Sequence, residues 1–299
     1  MACLKKENVV FWTKNPAVDT WTITASSSAA GHPATEIQNS SRKLTWRSTV
    51  STPSSITGTL ASLPNLSMRG VSRRAGVCII GHNFEQQTTI RIRFWRNSGV
   101  ILLYDKIFSS DNFVNIDTQT RDLIKEIRPY QNRVIYIEEE LTNIDKWQLD
   151  FSTSPGIPYF EIGRILISEA FQPSDNFYVE NDQLGAVDST KVSFSKGGDQ
   201  FSDFGSKRRG IFLEPPASLL SQQEMTGWLR LVHVVGAREP IFIDVHPRVG
   251  GDFVFAETVE ACLNLLKQVY GIANNNVRFG TRCANAISVS GSINIVEQA

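Results

Sequence analysis

The chain has 299 residues, of which 41% are hydrophobic and 20% are charged. This length and composition allow one large or two ordinary folded domains, and they exclude a fibrous or fully disordered protein. The 30 Lys and Arg residues balance the 30 Asp and Glu residues, so no net charge draws the chain to nucleic acid or to an anionic membrane.

The N-terminal segment and the cysteines indicate where the protein folds. Met1–Glu7 becomes charged at once and lacks the apolar core of a signal peptide. No stretch approaches the ~18 apolar residues of a membrane-spanning helix. Cys3, Cys78, Cys262 and Cys283 lack the spacing of a zinc knuckle or a redox pair. We therefore expect no secretion signal, no membrane span and a reduced chain rather than two disulfides.

Strand signals dominate the first 170 residues. Val77–Ile80 is continuously apolar, which predicts a strand that is buried on both faces. Ile90–Phe94 alternates apolar and polar residues, as a strand with one face on a core does. Similar runs are Val134–Ile137, Trp147–Phe151 and Phe160–Ile167. Many short strands with polar turns between them predict an antiparallel β-sandwich.

Residues 104–146 interrupt this regular spacing. Asp117–Ile127 predicts a short helix that ends before Pro129. The three carboxylates of Glu138–Glu140 raise the possibility of a metal site or of acid–base chemistry. Neighbouring residues of a strand point to opposite sides, however, so a solvated edge is favoured over a shared ion.

The pattern changes near Gln172–Asn176, where we predict a domain boundary. Lys191–Ser195 and Pro240–Val245 have strand character. Ser221–Glu224 has the spacing of a capping box and predicts the start of a helix. A second helix is expected within Glu257–Gln268. The second half, residues 173–299, is therefore predicted to be a smaller α+β domain with a sheet of two to four strands.

The chain carries few signs of catalytic chemistry. It contains no nucleophile elbow, P-loop or HExxH motif, and its four histidines lack metal-ligand spacing. No cluster of Asp and Asn residues suggests a calcium site. A glycan-cleaving enzyme would need two facing carboxylates, whereas loop aspartates more often cap turns. We expect no enzymatic activity, no cofactor and no metal.

A sugar site remains possible, because sugars bind to aromatic rings surrounded by planar polar groups. The candidate carbohydrate-binding residues are His32, Trp46, Arg47, His82, Asn83 and Trp95. A structural role competes at several of these positions. Gly81–Asn83 follows a buried strand and has the character of a turn in which the asparagine supports the backbone.

A series of short motifs in the first half carries a family resemblance. In order they are Ala25–Ser27, Pro33–Ala34, Trp46–Ser48, Gly81–Asn83, Ile90–Arg93, Trp147–Asp150 and Ile162–Ile165. This order resembles the discoidin-like, or galactose-binding-like, jelly roll. The resemblance implies a ligand-binding β-sandwich over residues 1–172, with Trp46 packed inside it.

The whole chain resembles a class of tailed-bacteriophage structural proteins, in which such a module precedes a compact C-terminal domain. The passages that carry this resemblance are Ile162–Ile167, Ala170–Phe177, Lys207–Arg209, Glu224–Leu229, Glu239–Ile243 and Tyr270–Gly271.

The phage resemblance implies a non-enzymatic tail, baseplate or tail-tip protein, assembled in the host cytoplasm and located in the virion. Its expected partners are other tail proteins, copies of itself and host surface glycans, with residues 104–146 as a possible assembly arm. The alternative is a free carbohydrate-binding module or lectin.

Overall fold

A computed structural model gives the structure of the chain. It describes residues 10–12, 15–41, 44–51, 53–60, 65–69, 74–84, 88–109, 131–152, 157–173, 183–188, 191–194, 200–203, 207–213, 219–220, 222–229, 231, 240–244, 268–275, 278–283, 286–290 and 293–297.

The described part of the chain is mainly β-structure, as the sequence predicts. The strands of the first half are β1 Val10–Trp12, β2 Thr22–Ala25, β3 Trp46–Arg47, β4 Ser54–Thr59, β5 Leu66–Arg69, β6 Arg74–His82, β7 Thr89–Arg96, β8 Ile101–Ser109, β9 Gln131–Ile137, β10 Glu140–Ile144, β11 Lys146–Phe151 and β12 Glu161–Ala170. Those of the second half are β13 Gln183–Asp188, β14 Lys191–Phe194, β15 Gln200–Asp203, β16 Lys207–Leu213, β17 Leu219–Leu220, β18 Ile241–Asp244, β19 Gln268–Asn275, β20 Arg278–Cys283, β21 Ala286–Ser290 and β22 Ile293–Glu297. The helices are α1 Pro16–Asp19, a 3₁₀ helix Ala34–Gln38 and α2 Gln222–Leu229.

Two antiparallel sheets form a jelly-roll sandwich in the first half. The five-stranded sheet has the order β2-β4-β11-β7-β8, and the four-stranded sheet has the order β3-β12-β6-β9. In β7 every second residue, Ile90, Ile92 and Phe94, is fully buried, and the residues between them reach the surface. The alternation that predicted this strand is therefore confirmed.

The core between the two sheets is rich in aromatic and β-branched residues. Trp147 of β11 lies in this core and donates a hydrogen bond from its indole nitrogen to the carbonyl of Ala17 at 2.9 Å. Its ring fills the space beside Gly58, where an added Cβ would lie 2.2 Å from the ring. Because β4 carries no side chain at this position, the ring can lie against the strand and anchor α1.

The four-stranded sheet is covered on both faces. Val77 and Ile79 face the sandwich core, whereas Cys78 and Ile80 belong to a second cluster on the outer face. The prediction that Val77–Ile80 is buried on both sides is confirmed. Cys78 is a free thiol, and burial raises its pKa well above the usual value, which makes it a small core residue.

The outer cluster is completed by residues from distant parts of the chain. Val10 and Trp12 of β1 and Phe242 of β18 lie in it. The hydroxyl of Tyr136 donates to the buried carboxylate of Asp244 at 2.7 Å. Strand β18 of the second half therefore packs directly on the sandwich.

The sheet of the second half is larger than predicted. It has six strands in the order β1-β18-β19-β22-β16-β13, and β1 comes from the N-terminus. The strand pair β14–β15 and the three-stranded sheet β17-β21-β20 are separate from it. The proposed division at residue 172 stays a prediction, although β1 pairs with β18 across that division.

The remaining sequence predictions have mixed outcomes. The strand within Lys191–Ser195, the strand within Pro240–Val245 and the helix that begins after Ser221 are confirmed. Within the segment 104–146, the described residues 104–109 and 131–146 are more regular than expected, since they belong mostly to β8, β9 and β10. The helix expected at residues 117–127 lies outside the described residues. The helix expected within Glu257–Gln268 does so as well except for Gln268, which begins a strand.

No helix among the described residues is long and apolar enough to span a membrane.

Candidate functional site

Three strands of the four-stranded sheet end together at one edge of the sandwich. Strand β12 begins at Glu161, which lies opposite Arg47 of β3, and the next residue, Ile162, lies opposite both Trp46 and His82. This register brings residues that are far apart in the sequence to a single sheet end. The loop that contains His32 joins them, because the Arg47 amide donates to the His32 carbonyl at 3.4 Å.

A carboxylate, a guanidinium group, a hydroxyl and an imidazole form one network at this edge. Arg47 Nη2 lies 3.2 Å from Glu161 Oε2 and 3.3 Å from Oε1. The Thr45 hydroxyl donates to Glu161 Oε1 at 2.7 Å. His32 Nδ1 lies 3.0 Å from the Thr45 carbonyl oxygen. Because that carbonyl can only accept, a hydrogen bond there requires the proton on Nδ1, which leaves Nε2 of the neutral ring as an acceptor.

The carboxylate of this network is buried, whereas the guanidinium and imidazole groups are partly exposed to solvent. The Glu161 side chain is 6% exposed and the Arg47 side chain is 30% exposed. His32 and Tyr159 are half-buried. The network therefore holds its carboxylate in place from beneath and presents the guanidinium and imidazole groups at the surface.

Tyr159 adds an aromatic ring to the same edge. The guanidinium carbon of Arg47 lies 4.4 Å from the centroid of this ring, within the range of a cation–π contact. Asn83 fixes the segment that carries the ring: its amide nitrogen donates to the Tyr159 carbonyl at 2.9 Å, and its amide oxygen accepts from the Glu161 amide at 2.8 Å. Asn83 therefore positions the site from behind.

Two of the predicted sugar-binding residues are buried. Trp46 has no exposed surface, and its indole nitrogen donates to the Ser27 carbonyl at 3.1 Å and lies 3.2 Å from the Ser28 hydroxyl. His82 is 1% exposed and stacks on Phe84 at a centroid distance of 4.4 Å. A sugar cannot reach either ring, so we remove Trp46 and His82 from the candidate set.

Trp95 lies at the other end of the sandwich. It pairs with Lys146 at the start of β11, whereas Phe151, which packs on Trp46, ends that strand. Five residues along a strand correspond to about 17 Å. The structure thus brings His32, Arg47 and Asn83 together and separates Trp95 from them.

Sequence reasoning missed three residues of this edge: Thr45, Tyr159 and Glu161. A signal was present, because Glu161 opens a long apolar strand in which a charge needs a partner. Among the described residues, no group of three or more His, Cys, Asp or Glu side chains has the geometry of a metal site.

Several solved structures are similar to about half of the chain. The family 32 carbohydrate-binding module of Clostridium perfringens NanJ, solved with galactose, is 13% identical and has a TM-score of 0.35; the match covers 51% of this chain and 96% of that one. A chitosan-binding module of a Paenibacillus chitosanase/glucanase is 18% identical with a TM-score of 0.33, covering 53% and 98%.

The lectin domain of lectinolysin, solved with Lewis B antigen, is 11% identical and has a TM-score of 0.34; the match covers 54% of this chain and 98% of that domain. No protein-family model and no curated protein matches the chain.

Proposed function

We propose that the protein binds carbohydrate without cleaving it, at the edge formed by His32, Arg47, Tyr159 and Glu161. The observation that carries the proposal is the convergence of these side chains at one sheet end, where Arg47 lies on Tyr159 and is paired with Glu161. Chain segments more than 100 residues apart are joined there by the hydrogen bond from Thr45 to Glu161.

The chemistry of this edge matches that of a sugar. Each sugar hydroxyl both donates and accepts hydrogen bonds, and the C–H groups of the ring form an apolar face. The site offers Arg47 as a donor, His32 Nε2 as an acceptor and Tyr159 as an apolar surface. The contacts from Asn83 and Thr45 hold these groups in place before a ligand arrives.

The same geometry supports binding rather than hydrolysis. Glycoside cleavage uses a pair of carboxyl groups about 5–10 Å apart across the scissile bond. In the described network the carboxylate is that of Glu161, which is engaged by Arg47 and Thr45. The oxygens of this carboxylate are occupied by those two partners, which suits a residue that holds the site together.

A glycan array followed by calorimetric titration tests the proposal. We expect saturable binding to at least one glycan, and we expect Arg47→Lys to weaken it about tenfold, because lysine keeps the charge but loses the planar fork. Arg91→Lys is the matched control, since Arg91 is likewise paired with a carboxylate, that of Asp105, but lies on the other sheet. Tyr159→Ala and His32→Ala should weaken binding without breaking the Arg47–Glu161 pair.

Two results would overturn the proposal. One is the absence of binding to every glycan on the array at millimolar concentration. The other is an equal loss of affinity in the Arg47→Lys and Arg91→Lys variants. Release of reducing sugar from a bound glycan would show that the protein hydrolyses the glycan and would contradict binding without cleavage.

The role in a phage tail or baseplate stays a prediction that rests on the sequence resemblance. It is compatible with sugar binding, because a tail protein that contacts a host glycan needs such a site. Mass spectrometry of purified phage particles tests it: presence of the chain in the particle would support a virion protein, and absence would leave a free carbohydrate-binding protein.

A further inference from the structure

The outward face of the five-stranded sheet carries an ordered row of polar groups beside one tryptophan. Across three neighbouring strands, Thr59 of β4 pairs with Lys146 of β11, and Lys146 pairs with Trp95 of β7. Two residues further along, Thr57, Gln148 and Arg93 form the next row on the same face. Three adjacent strands span about 10 Å, which makes this a surface rather than a single contact.

Trp95 has two cations beside its ring. The Lys146 ammonium lies 4.9 Å from the ring centroid, and the Arg93 guanidinium carbon lies 5.3 Å from it. Trp95 itself is half-buried. A ring that is partly open to solvent and flanked by positive charge offers both an apolar contact and an attraction for anions.

The position of Lys146 is set by the turn between β7 and β8. Asp145 accepts hydrogen bonds from the Ser98 amide at 2.5 Å and the Gly99 amide at 3.2 Å. Gly99 has φ +81°, and an added Cβ there would lie 3.0 Å from Cδ of Lys146. The glycine therefore leaves room for the lysine stem to run under the turn, so the ammonium is placed in advance of any ligand.

The two cations differ in how their charge is balanced. Arg93 lies 2.6 Å from the Asp150 carboxylate, which also accepts from Gln148 at 2.6 Å. Among the residues that the structure describes, Lys146 makes no ion pair and its charged group contacts the Trp95 ring. Lys146 is thus a positioned cation that remains available to a carboxylate or sulfate group.

We infer that this face, centred on Trp95 and Lys146, is a second binding surface that takes an acidic saccharide. A sugar ring lies against Trp95, its anionic group pairs with Lys146, and Thr59 and Thr57 reach its hydroxyls. The inference rests on the proposed carbohydrate binding and adds the class of sugar. Since Trp95 lies about 17 Å along β11 from the end of the sandwich that carries the Arg47 edge, the two surfaces bind independently.

Titration with an oligogalacturonate and with the neutral galacto-oligosaccharide of the same length tests the inference. We expect the acidic oligomer to bind in a manner that weakens with added salt. Trp95→Ala should lower its affinity about tenfold and Lys146→Met about fivefold. Lys106→Met is the matched control, because Lys106 lies on the adjacent strand and is already paired with Glu139. Arg47→Lys should leave this binding unchanged.

Four outcomes would overturn the inference, and the last of them also concerns the Arg47 edge. The first is no binding of oligogalacturonate at millimolar concentration, and the second is unchanged affinity in both Trp95→Ala and Lys146→Met. The third is binding of polyglutamate with the same affinity as oligogalacturonate, which would show that charge alone accounts for the binding. None of these three results affects the Arg47 edge, whose proposal is tested by array binding and by the Arg47→Lys variant. Loss of oligogalacturonate binding in Arg47→Lys would show that the acidic oligomer binds at the Arg47 edge. It would also contradict the proposed binding surface at Trp95 and Lys146.

Discussion

The two sheets of the sandwich have different surroundings. The four-stranded sheet is buried on both faces, with Ile79 toward the core and Ile80 toward β1 and β18. The five-stranded sheet is buried on one face and carries threonines, charged residues and Trp95 on the other. A polar group of the four-stranded sheet can therefore reach the surface at a strand end, as Arg47 does, whereas the five-stranded sheet exposes its whole outer face.

The largest expected effect comes from the outer face of the four-stranded sheet. Leu166→Ala removes a side chain from the cluster that contains Trp12 and Phe242. We expect it to lower the free energy of unfolding by about 2–5 kcal/mol, measured by denaturant titration. Thr57→Ala, on the outer face of the other sheet, should change it by no more than about 0.5 kcal/mol. Equal effects would contradict the difference between the sheets.

A single buried hydrogen bond tests how the second half contacts this sheet. Tyr136→Phe removes the donor to Asp244, which is 2% exposed. Leaving a buried carboxylate short of a donor should cost about 1–3 kcal/mol of unfolding free energy. Tyr104→Phe serves as the control, because Tyr104 packs on Phe94 in the other sheet. A larger loss from Tyr104→Phe would contradict the assigned contact.

Comparing the Asn83→Ala and His32→Ala variants distinguishes a residue that positions the site from one that contacts the sugar. Asn83→Ala removes hydrogen bonds to the Tyr159 carbonyl and the Glu161 amide, and should lower the unfolding free energy by about 1–2 kcal/mol. Glycan affinity should fall as well, since these contacts hold the ring and the carboxylate. His32→Ala should lower affinity with stability unchanged. The two variants can be compared by thermal unfolding and titration on the same samples.

The smallest effect on stability is expected for an exposed ion pair of the five-stranded sheet. A hydrogen bond from Arg91 lowers the pKa of Asp105. A carboxyl group whose pKa is lower in the folded state stabilises the fold above its unfolded pKa of about 3.9, and this contribution disappears as the pH falls through the folded pKa. Asp105→Asn should therefore be slightly less stable than the wild type at pH 7 and equal to it in strong acid. A difference that persists in acid would indicate lost packing instead.

Local patterns predicted the individual strands well. The alternation of Ile90, Ile92 and Phe94 identified β7, and the apolar run at Val77–Ile80 identified a strand with two buried faces. Each signal lies within a single segment. An alternating pattern indicates one buried face, and a continuous apolar run indicates two.

Pairing between distant segments was not predictable in the same way. Strand β1 has three residues, too few for a periodic signal, and its partner β18 lies more than 200 residues away. Gly271 and Asn274–Asn275 are residues of low strand propensity, yet they lie in β19 between β18 and β22. Hydrogen bonds to neighbouring strands override weak strand propensity at these positions.

The sequence by itself determined the central strands of the sandwich, which of their faces are apolar and which residue types could bind a sugar. The tertiary structure decided which of those residues meet. Strand register placed Arg47 opposite Glu161 and buried Trp46 and His82, because each pairing fixes which side chains face the core and which end at the edge. It also placed Trp95 beside Lys146, far from Arg47. A register between segments that far apart is set by the packing of the whole sandwich, which no local pattern contains.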